Sequence, residues 1–347
     1  MQAIAQAGIE GRLGFPAHTP DDGFGVAMGP DRALFGFDFV FIKLLMTRQI
    51  PKQIEMAQAL GQRVIVDVDD FYDDLPESNL AHAATDPALN RWQNRDVFRQ
   101  VIEAADMVTV TTPFLYDYYA ARHPNVRMIR NGVLPHQFEY RKPVNRKPVL
   151  GWVGGIPWRG GDLQTMRDWL PDFLIEHDLM FHHAGHADRV PGQDNVPSLA
   201  ELVGIPPERV TTSPLRPLDE YHQMFSFDIG LVPLTDIPFN HAKSNLKGLE
   251  YSCAGVPFIA QGLPEYEYLH NTGVGRVAYT SDDWVRHCTK LLDYGTRKRE
   301  ARTNQVIVAR EHSIMAREDE WISVLVGDES VAATTGKVPV PPSHALA

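Results

Sequence analysis

Two short stretches combine cations, free backbone amides and an acid in a way that suits an anionic ligand. In Lys243-Ser244-Asn245-Leu246-Lys247-Gly248-Leu249-Glu250, Ser244 predicts an N-cap. A helix over about 245–254 then opens with unpaired N–H groups beside two ammonium ions. That pairing favours a diphosphate. The competing reading is a solvated basic loop, which loses ground because the chain next enters the apolar segment 256–260. Leu246, Leu249 and Cys253 form an apolar stripe at helical spacing with Glu250 on its border. Glu250 either pairs with Lys247 along the helix or faces a cleft and accepts hydrogen bonds from ligand hydroxyls.

The second stretch is Trp152-Val153-Gly154-Gly155-Ile156-Pro157-Trp158-Arg159-Gly160-Gly161-Asp162. A glycine pair after a buried strand lets a phosphate approach backbone N–H groups, with Arg159 as charge partner. Alternatively the glycines serve only the backbone angles of a turn. The stretch is neither the six-residue dinucleotide fingerprint nor a Walker loop. Asp67-Val68-Asp69-Asp70, followed by Asp73 and Asp74, ends a strand. It reads as an acceptor pocket or solvated turn in preference to a divalent-metal site. His182, His183 and His186 lack a nearby Cys or Glu to complete a ligand set, and read as solvated or core residues. His123 reads as part of a turn, and His18 and His241 as single loop histidines. No Gly-x-Ser-x-Gly occurs, so no acyl-transfer triad is expected.

These residues sit on an alternation of strands and helices. In the first half, strands are expected over 37–42, 63–70, 107–111 and 126–130, with helices over 51–60, 87–104 and 113–121. Residues 1–33, rich in Gly, Pro and Asp, read mostly as loop. A polar, Pro-punctuated segment at 141–148 suits a domain boundary. The second half repeats the pattern, with strands over 149–153, 179–185, 210–212, 228–234, 258–260 and 275–278. Its helices are expected over 162–177, 218–225, 245–254, 281–294, 297–311 and 314–326. The alternation predicts an α/β chain of two Rossmann-like doubly wound domains facing across a cleft. The expected units are 1–145, 146–312, a C-terminal helix at 313–326 packing back towards the first domain, and a disordered tail at 327–347.

Composition narrows the function classes. The 347 residues are 44% hydrophobic and 22% charged, enough for sizeable cores. A formal charge of −11 argues against a broad nucleic-acid surface but allows a local basic pocket. The two cysteines, Cys253 and Cys288, do not have metal-ligand spacing, and neither a disulfide framework nor a zinc site is expected. No uncharged apolar run of membrane-spanning length occurs, so a cytoplasmic place with at most peripheral membrane contact is expected.

In order along the chain, Ile129-Arg130-Asn131-Gly132-Val133, the 149–161 glycine loop, the Asp228–Leu234 strand and Leu249-Glu250-Tyr251-Ser252-Cys253-Ala254-Gly255-Val256-Pro257 resemble the GT-B fold retaining glycosyltransferases called group 1 or family 4. The resemblance covers roughly residues 100–270. It implies transfer of a sugar from a nucleotide-diphosphate sugar, a UDP- or GDP-sugar foremost, to an unknown acceptor such as a glycan, lipid, small molecule or protein. It also implies retention of configuration, with no cofactor or metal required. By resemblance, Glu250 holds the ribose and Asn245 and Leu246 lie by the phosphates, where the helix-start reading also places Ser244 and Lys247. Gly154, Gly155 and Arg159 face the phosphates from the other loop, Arg159 and Lys243 stabilise the leaving diphosphate, and Asp69 and Asp70 lie on the acceptor side. The family usually carries a Glu where this chain has Ala242. Two alternatives stand beside this reading: a sugar-nucleotide epimerase on the same fold, and a non-catalytic nucleotide-sugar-binding protein.

Overall fold

Strands buried on both faces need nearly continuous apolar runs, and the first half supplies them. The computed structural model describes residues 16–19, 23–26, 38–44, 46–140, 142–143, 145–185, 197–217 and 220–326. Within it β1 (Pro16–Thr19) and β2 (Gly23–Val26) form an antiparallel pair. The sequence reads this region as loop and places His18 there. Four-residue strands carry too little alternation to be seen. Next come β3 (Phe39–Lys43), β4 (Arg63–Val68), β5 (Met107–Val110) and β6 (Val126–Met128), a parallel sheet in the order β3-β4-β5-β6. Val64, Ile65 and Val66 are fully buried at its centre.

The second half folds into a six-stranded parallel sheet: β7 (Val149–Val153), β8 (Met180–Ala184), β9 (Val210–Ser213), β10 (Ile229–Val232), β11 (Phe258–Gln261) and β12 (Arg276–Ala278). Its order, β12-β11-β10-β7-β8-β9, is the doubly wound arrangement in which the chain starts centrally and leaves in both directions. The switch point lies between β7 and β10, where ligands bind in such sheets. Those strands pair only at Ile229 with Leu150 and Gly230 with Gly151. Beyond this the Tyr251 hydroxyl bridges the widening gap, accepting from Val153 N at 3.0 Å and donating to the Leu231 carbonyl at 3.3 Å. Gly230 leaves room for that ring, since a Cβ there would come within 2.4 Å of it.

Several helices differ from expectation for identifiable reasons. The helix expected over 87–104 begins only at Asn94 (Asn94–Ala104), after Gln93 in the left-handed region at φ 57°. Upstream, the Asp86 and Asn90 carboxyl and amide oxygens accept from Ala88 N and Trp92 N at 2.7 and 2.9 Å, local bonds that compete with helix. The helix expected over 162–177 is two, Gly160–Gln164 and Leu170–Glu176, because Pro171 cannot donate to a preceding turn and opens a new helix instead. The 218–225 segment holds a 3₁₀ turn, Tyr221–Met224, with 218–219 outside the described residues. A 3₁₀ turn, Ile314–Arg317, precedes the last helix, Glu318–Val326.

That last helix packs on the first sheet. Val324 and Leu325 join Ile65, Met107 and Ile129, and Arg63 donates to the Val324 carbonyl at 3.3 Å. The chain crosses back beside the forward crossing, where Val133 and Ser313 form a parallel bridge. Residues 327–347 and His186 lie outside the described residues. Among the described residues no helix is long and apolar enough to cross a membrane.

Candidate functional site

The crevice at the switch point is built from the loops that follow β7 and β10. After β7, Gly154 takes φ 158°, and a Cβ there would stand 2.5 Å from the Trp152 ring. Its carbonyl is held by His183 Nε2 at 2.9 Å, and the His183 ring stacks on Trp152 at 5.2 Å. Trp152 and His183 are register partners on β7 and β8, so the strand pairing itself sets this stack. Because Gly154 O can only accept, His183 Nε2 carries the proton. Burial lowers the His183 pKa, and the ring is a neutral strut.

After β10 the chain turns through Thr235 and the short helix Pro238–His241 before reaching Lys243. Asp162 organises this loop. Its Oδ1 accepts from Thr235 N at 2.9 Å and Asn240 Nδ2 at 2.6 Å, while Oδ2 lies 3.4 Å from Arg159. Arg159, placed by sequence as a phosphate partner, thus stands on the rim as the other cations' neighbour. Its charge is the next cause after burial in pulling the Lys243 pKa down to about 8, with Asp70 opposing.

The helix Leu246–Cys253 starts one residue later than expected, and Asn245, not Ser244, is its N-cap residue, without a side-chain capping bond. Ser244 Oγ instead accepts from Asn131 Nδ2 at 2.8 Å, and Asn245 Nδ2 donates to the Glu265 carbonyl at 3.2 Å. The first-turn N–H groups are therefore free of side-chain caps on the crevice side. Gly255 at φ 69° ends the helix.

Glu250 and Lys247 do not form the intrahelical pair that spacing allowed. Lys247 Nζ donates to the Val153 carbonyl, beside Gly154, and stands 5.6 Å from the Trp152 ring. Glu250 Oε2 accepts from Tyr221 O–H at 3.3 Å. Burial pushes the Glu250 pKa up and the Lys247 pKa down, and each charge offsets part of the other's shift. Leu246 is half-buried and packs into the core below. The crevice therefore gathers Gly154, Gly155, Arg159, Lys243, Ser244, Asn245, Leu246, Lys247 and Glu250, an arrangement suited to an anion flanked by a hydroxyl-rich group.

Of the acids at the end of β4, Asp70 reaches across to the second half, while Asp67 and Asp69 are held within the first. Asp70 pairs with Lys243. Asp69 pairs with Lys43 at 3.0 Å and accepts from Tyr72 O–H at 3.0 Å, and Asp67 accepts from Thr109 Oγ1 at 2.7 Å. Among the described residues no group of three His, Cys, Asp or Glu could hold a metal ion. His182 bonds Thr211 and Ser213, His123 bonds the Asn125 and Ala105 carbonyls, and His241 pairs with Asp236.

Residues that sequence reasoning missed are those whose partners are far away in the chain. Arg130 clamps Glu265 through two bonds of 3.2 and 3.1 Å and lies over Tyr268 at 4.1 Å. Thr112 Oγ1 donates to the Ala242 carbonyl at 3.1 Å. Tyr221, Asp162 and His183 carry no spacing signal for their roles.

No family model matches the chain. Over 207 residues it is 26% identical to TuaH of Bacillus subtilis (strain 168), named as a teichuronic acid biosynthesis glycosyltransferase. That match takes in 56% of this chain and 50% of TuaH, so the chain spans about half the length of the curated relative it matches. Among solved structures, sucrose-phosphate synthase from Thermosynechococcus elongatus superimposes with a TM-score of 0.61 at 16% identity, over 88% of this chain and 76% of that one. HepE of Anabaena, in complex with UDP and glucose, gives a TM-score of 0.59 at 15% identity, over 85% and 80%. The fold is GT-B, as the sequence implied.

Proposed function

We propose that the protein is a glycosyltransferase that moves a sugar from a nucleotide-diphosphate sugar to an acceptor held by the first half. The observation that carries this reading is the switch-point crevice. A glycine loop, a helix start without a side-chain cap and three mutually interacting cations, Arg159, Lys243 and Lys247, lie together at the switch point, with the half-buried Glu250 beside them. In this reading Glu250 accepts hydrogen bonds from the ribose hydroxyls. The amides of Asn245 and Leu246, the Ser244 hydroxyl, Lys243, Lys247 and Arg159 surround the diphosphate, and Gly154 and Gly155 let it approach the backbone. The name of TuaH supports glycosyl transfer and the UDP held by HepE supports the choice of donor class, and UDP is the first nucleotide to test, then GDP.

As the glycosidic bond to the donor breaks, charge grows on the diphosphate, and the cations and helix amides stabilise it there. The acceptor oxygen bonds the anomeric carbon on the face from which the diphosphate leaves, and the departing phosphate oxygen takes the acceptor's proton, so no protein nucleophile is needed and configuration is retained, in keeping with the family 4 resemblance. Metal is dispensable in this scheme because Lys243, Lys247 and Arg159 supply the charge. Ala242 fits it as well: the residue is fully buried against the first half, so the donor sugar is held by other groups than the Glu usual at this position. The domains act as 1–145 for the acceptor and 146–312 for the donor, with 313–326 returning to the first.

The test is a calorimetric screen of UDP-, GDP- and ADP-sugars, followed by assay of nucleoside diphosphate release with and without a mixed acceptor extract. Release that depends on acceptor is expected. Conversion of the donor to an isomer without acceptor would contradict transfer.

A further inference from the structure

Three consecutive residues at the start of the donor helix are each held by a different strand end of the first sheet. The Ala242 carbonyl accepts from Thr112 after β5, Lys243 pairs with Asp70 after β4, and Ser244 Oγ accepts from Asn131 after β6. The outer two contacts, one to the Ala242 carbonyl and one to the Ser244 hydroxyl, tie the chain to the first sheet on either side of Lys243, so rotation of its own side chain is the least costly way for it to change partner. That side chain lies on the Phe239 ring at 4.1 Å and is 11% exposed. A buried ammonium needs a counter-charge, and in this state Asp70 is it.

Asp70 differs from its neighbours in having nothing else to hold. Asp67 is engaged by Thr109 and Lys43, and Asp69 by Lys43 and Tyr72. Among the described residues the Asp70 carboxylate has Lys243 as its one side-chain partner. If Lys243 turns away, Asp70 is the acid with free lone pairs at the cleft.

We propose that Asp70 is the resting counter-ion of Lys243, that the diphosphate of a bound donor displaces it, and that the freed carboxylate then accepts a hydrogen bond from an acceptor hydroxyl. A diphosphate carries more charge than a carboxylate and is also met by the helix amides, so it outcompetes Asp70 for the ammonium. Lys243 stays paired throughout, and only the identity of its partner changes. Of the two acids assigned to the acceptor side, this selects Asp70 over Asp69. The inference rests on the reading of the crevice as a nucleotide-diphosphate site.

The test is isothermal titration with UDP and GDP, using whichever binds wild type more tightly, on wild type, Asp70→Asn, Lys243→Met and the double variant, each first checked by thermal melting. At pH 6, where Lys243 keeps its proton, Asp70→Asn is expected to bind roughly threefold to tenfold more tightly, because Lys243 no longer has to leave a partner. In the Lys243→Met background the same change is expected to have no effect. Unchanged or weaker binding by Asp70→Asn overturns the exchange. Equal tightening without Lys243 also overturns it, since that would be simple repulsion between Asp70 and the phosphates. Failure of wild type to bind either nucleotide would overturn the donor-site reading itself, and the exchange with it.

Discussion

Glu250 is the residue where sequence spacing and structure part most usefully. Its place on the border of the Leu246, Leu249 and Cys253 stripe was legible, but its partner was not, because Tyr221 lies 29 residues away on a 3₁₀ turn that has no helical period. Replacing Glu250 with Gln keeps the shape and removes a charged acceptor. Nucleotide binding by calorimetry should weaken by about 1.5–3 kcal/mol, with the melting temperature little changed. Tyr221→Phe should cost less, about 1 kcal/mol, since it frees Glu250 without removing it. Lys243 adds a pH signature. Its pKa is lowered to about 8 by burial and by Arg159, against Asp70 and Asp162. A bound anion favours the protonated form, so binding takes up a proton where the free protein has lost it. Diphosphate affinity should therefore be level below about pH 7 and fall as pH rises through 8, with Lys247, also pushed down by burial to about 8, adding to the same fall. Titration across pH 6.5–9.5 in two buffers of different ionisation enthalpy reads both the fall and the proton.

Elements were legible where their periodicity is local. The strands after 149 and the helix ending at Gly255 were placed to within a few residues. The break at Pro171 and the late start at Asn94 depend on one ring and on two Asx turns that a periodic pattern overrides. Spacing puts the N-cap of the 246–253 helix at Ser244, as a local cap would require, whereas the Ser244 hydroxyl is taken by Asn131, 113 residues away. The clamp beneath that helix makes a stability prediction. Arg130 and Glu265 are 15% and 3% exposed as a bidentate pair, and burial raises the Glu265 pKa against the Arg130 charge. Arg130→Ala would leave a buried carboxylate without its partner and should cost about 3–5 kcal/mol in denaturant unfolding. Changing both, to Met and Gln, should restore much of that loss.

For the whole molecule, the two parallel sheets could be read from the alternation of β and α segments, although among the described residues only the second is wound in both directions while the first runs β3-β4-β5-β6 in one; the contacts joining the halves could not be read. Those contacts, such as Asp70 with Lys243 at a separation of 173 residues, leave no local pattern. The crossover back to the first half contains His312, which is 2% exposed with Nε2 unpaired, and burial together with Arg317 lowers its pKa to about 4. A histidine with a depressed folded pKa stabilises the fold in full above its unfolded value near 6.5, and that contribution is lost as pH falls towards 4. Wild type should lose up to about 3 kcal/mol more than His312→Gln between pH 7.5 and 4.5, read from urea midpoints.

The central claim is that the switch-point crevice is a nucleotide-diphosphate-sugar site. Calorimetric titration of wild type and Lys247→Ala with the UDP- and GDP-sugars tests it most directly. Saturable binding of at least one donor by wild type, weakened tenfold or more in a folded Lys247→Ala variant, is the predicted result. Absence of binding by wild type, or equal binding by both proteins, would contradict it.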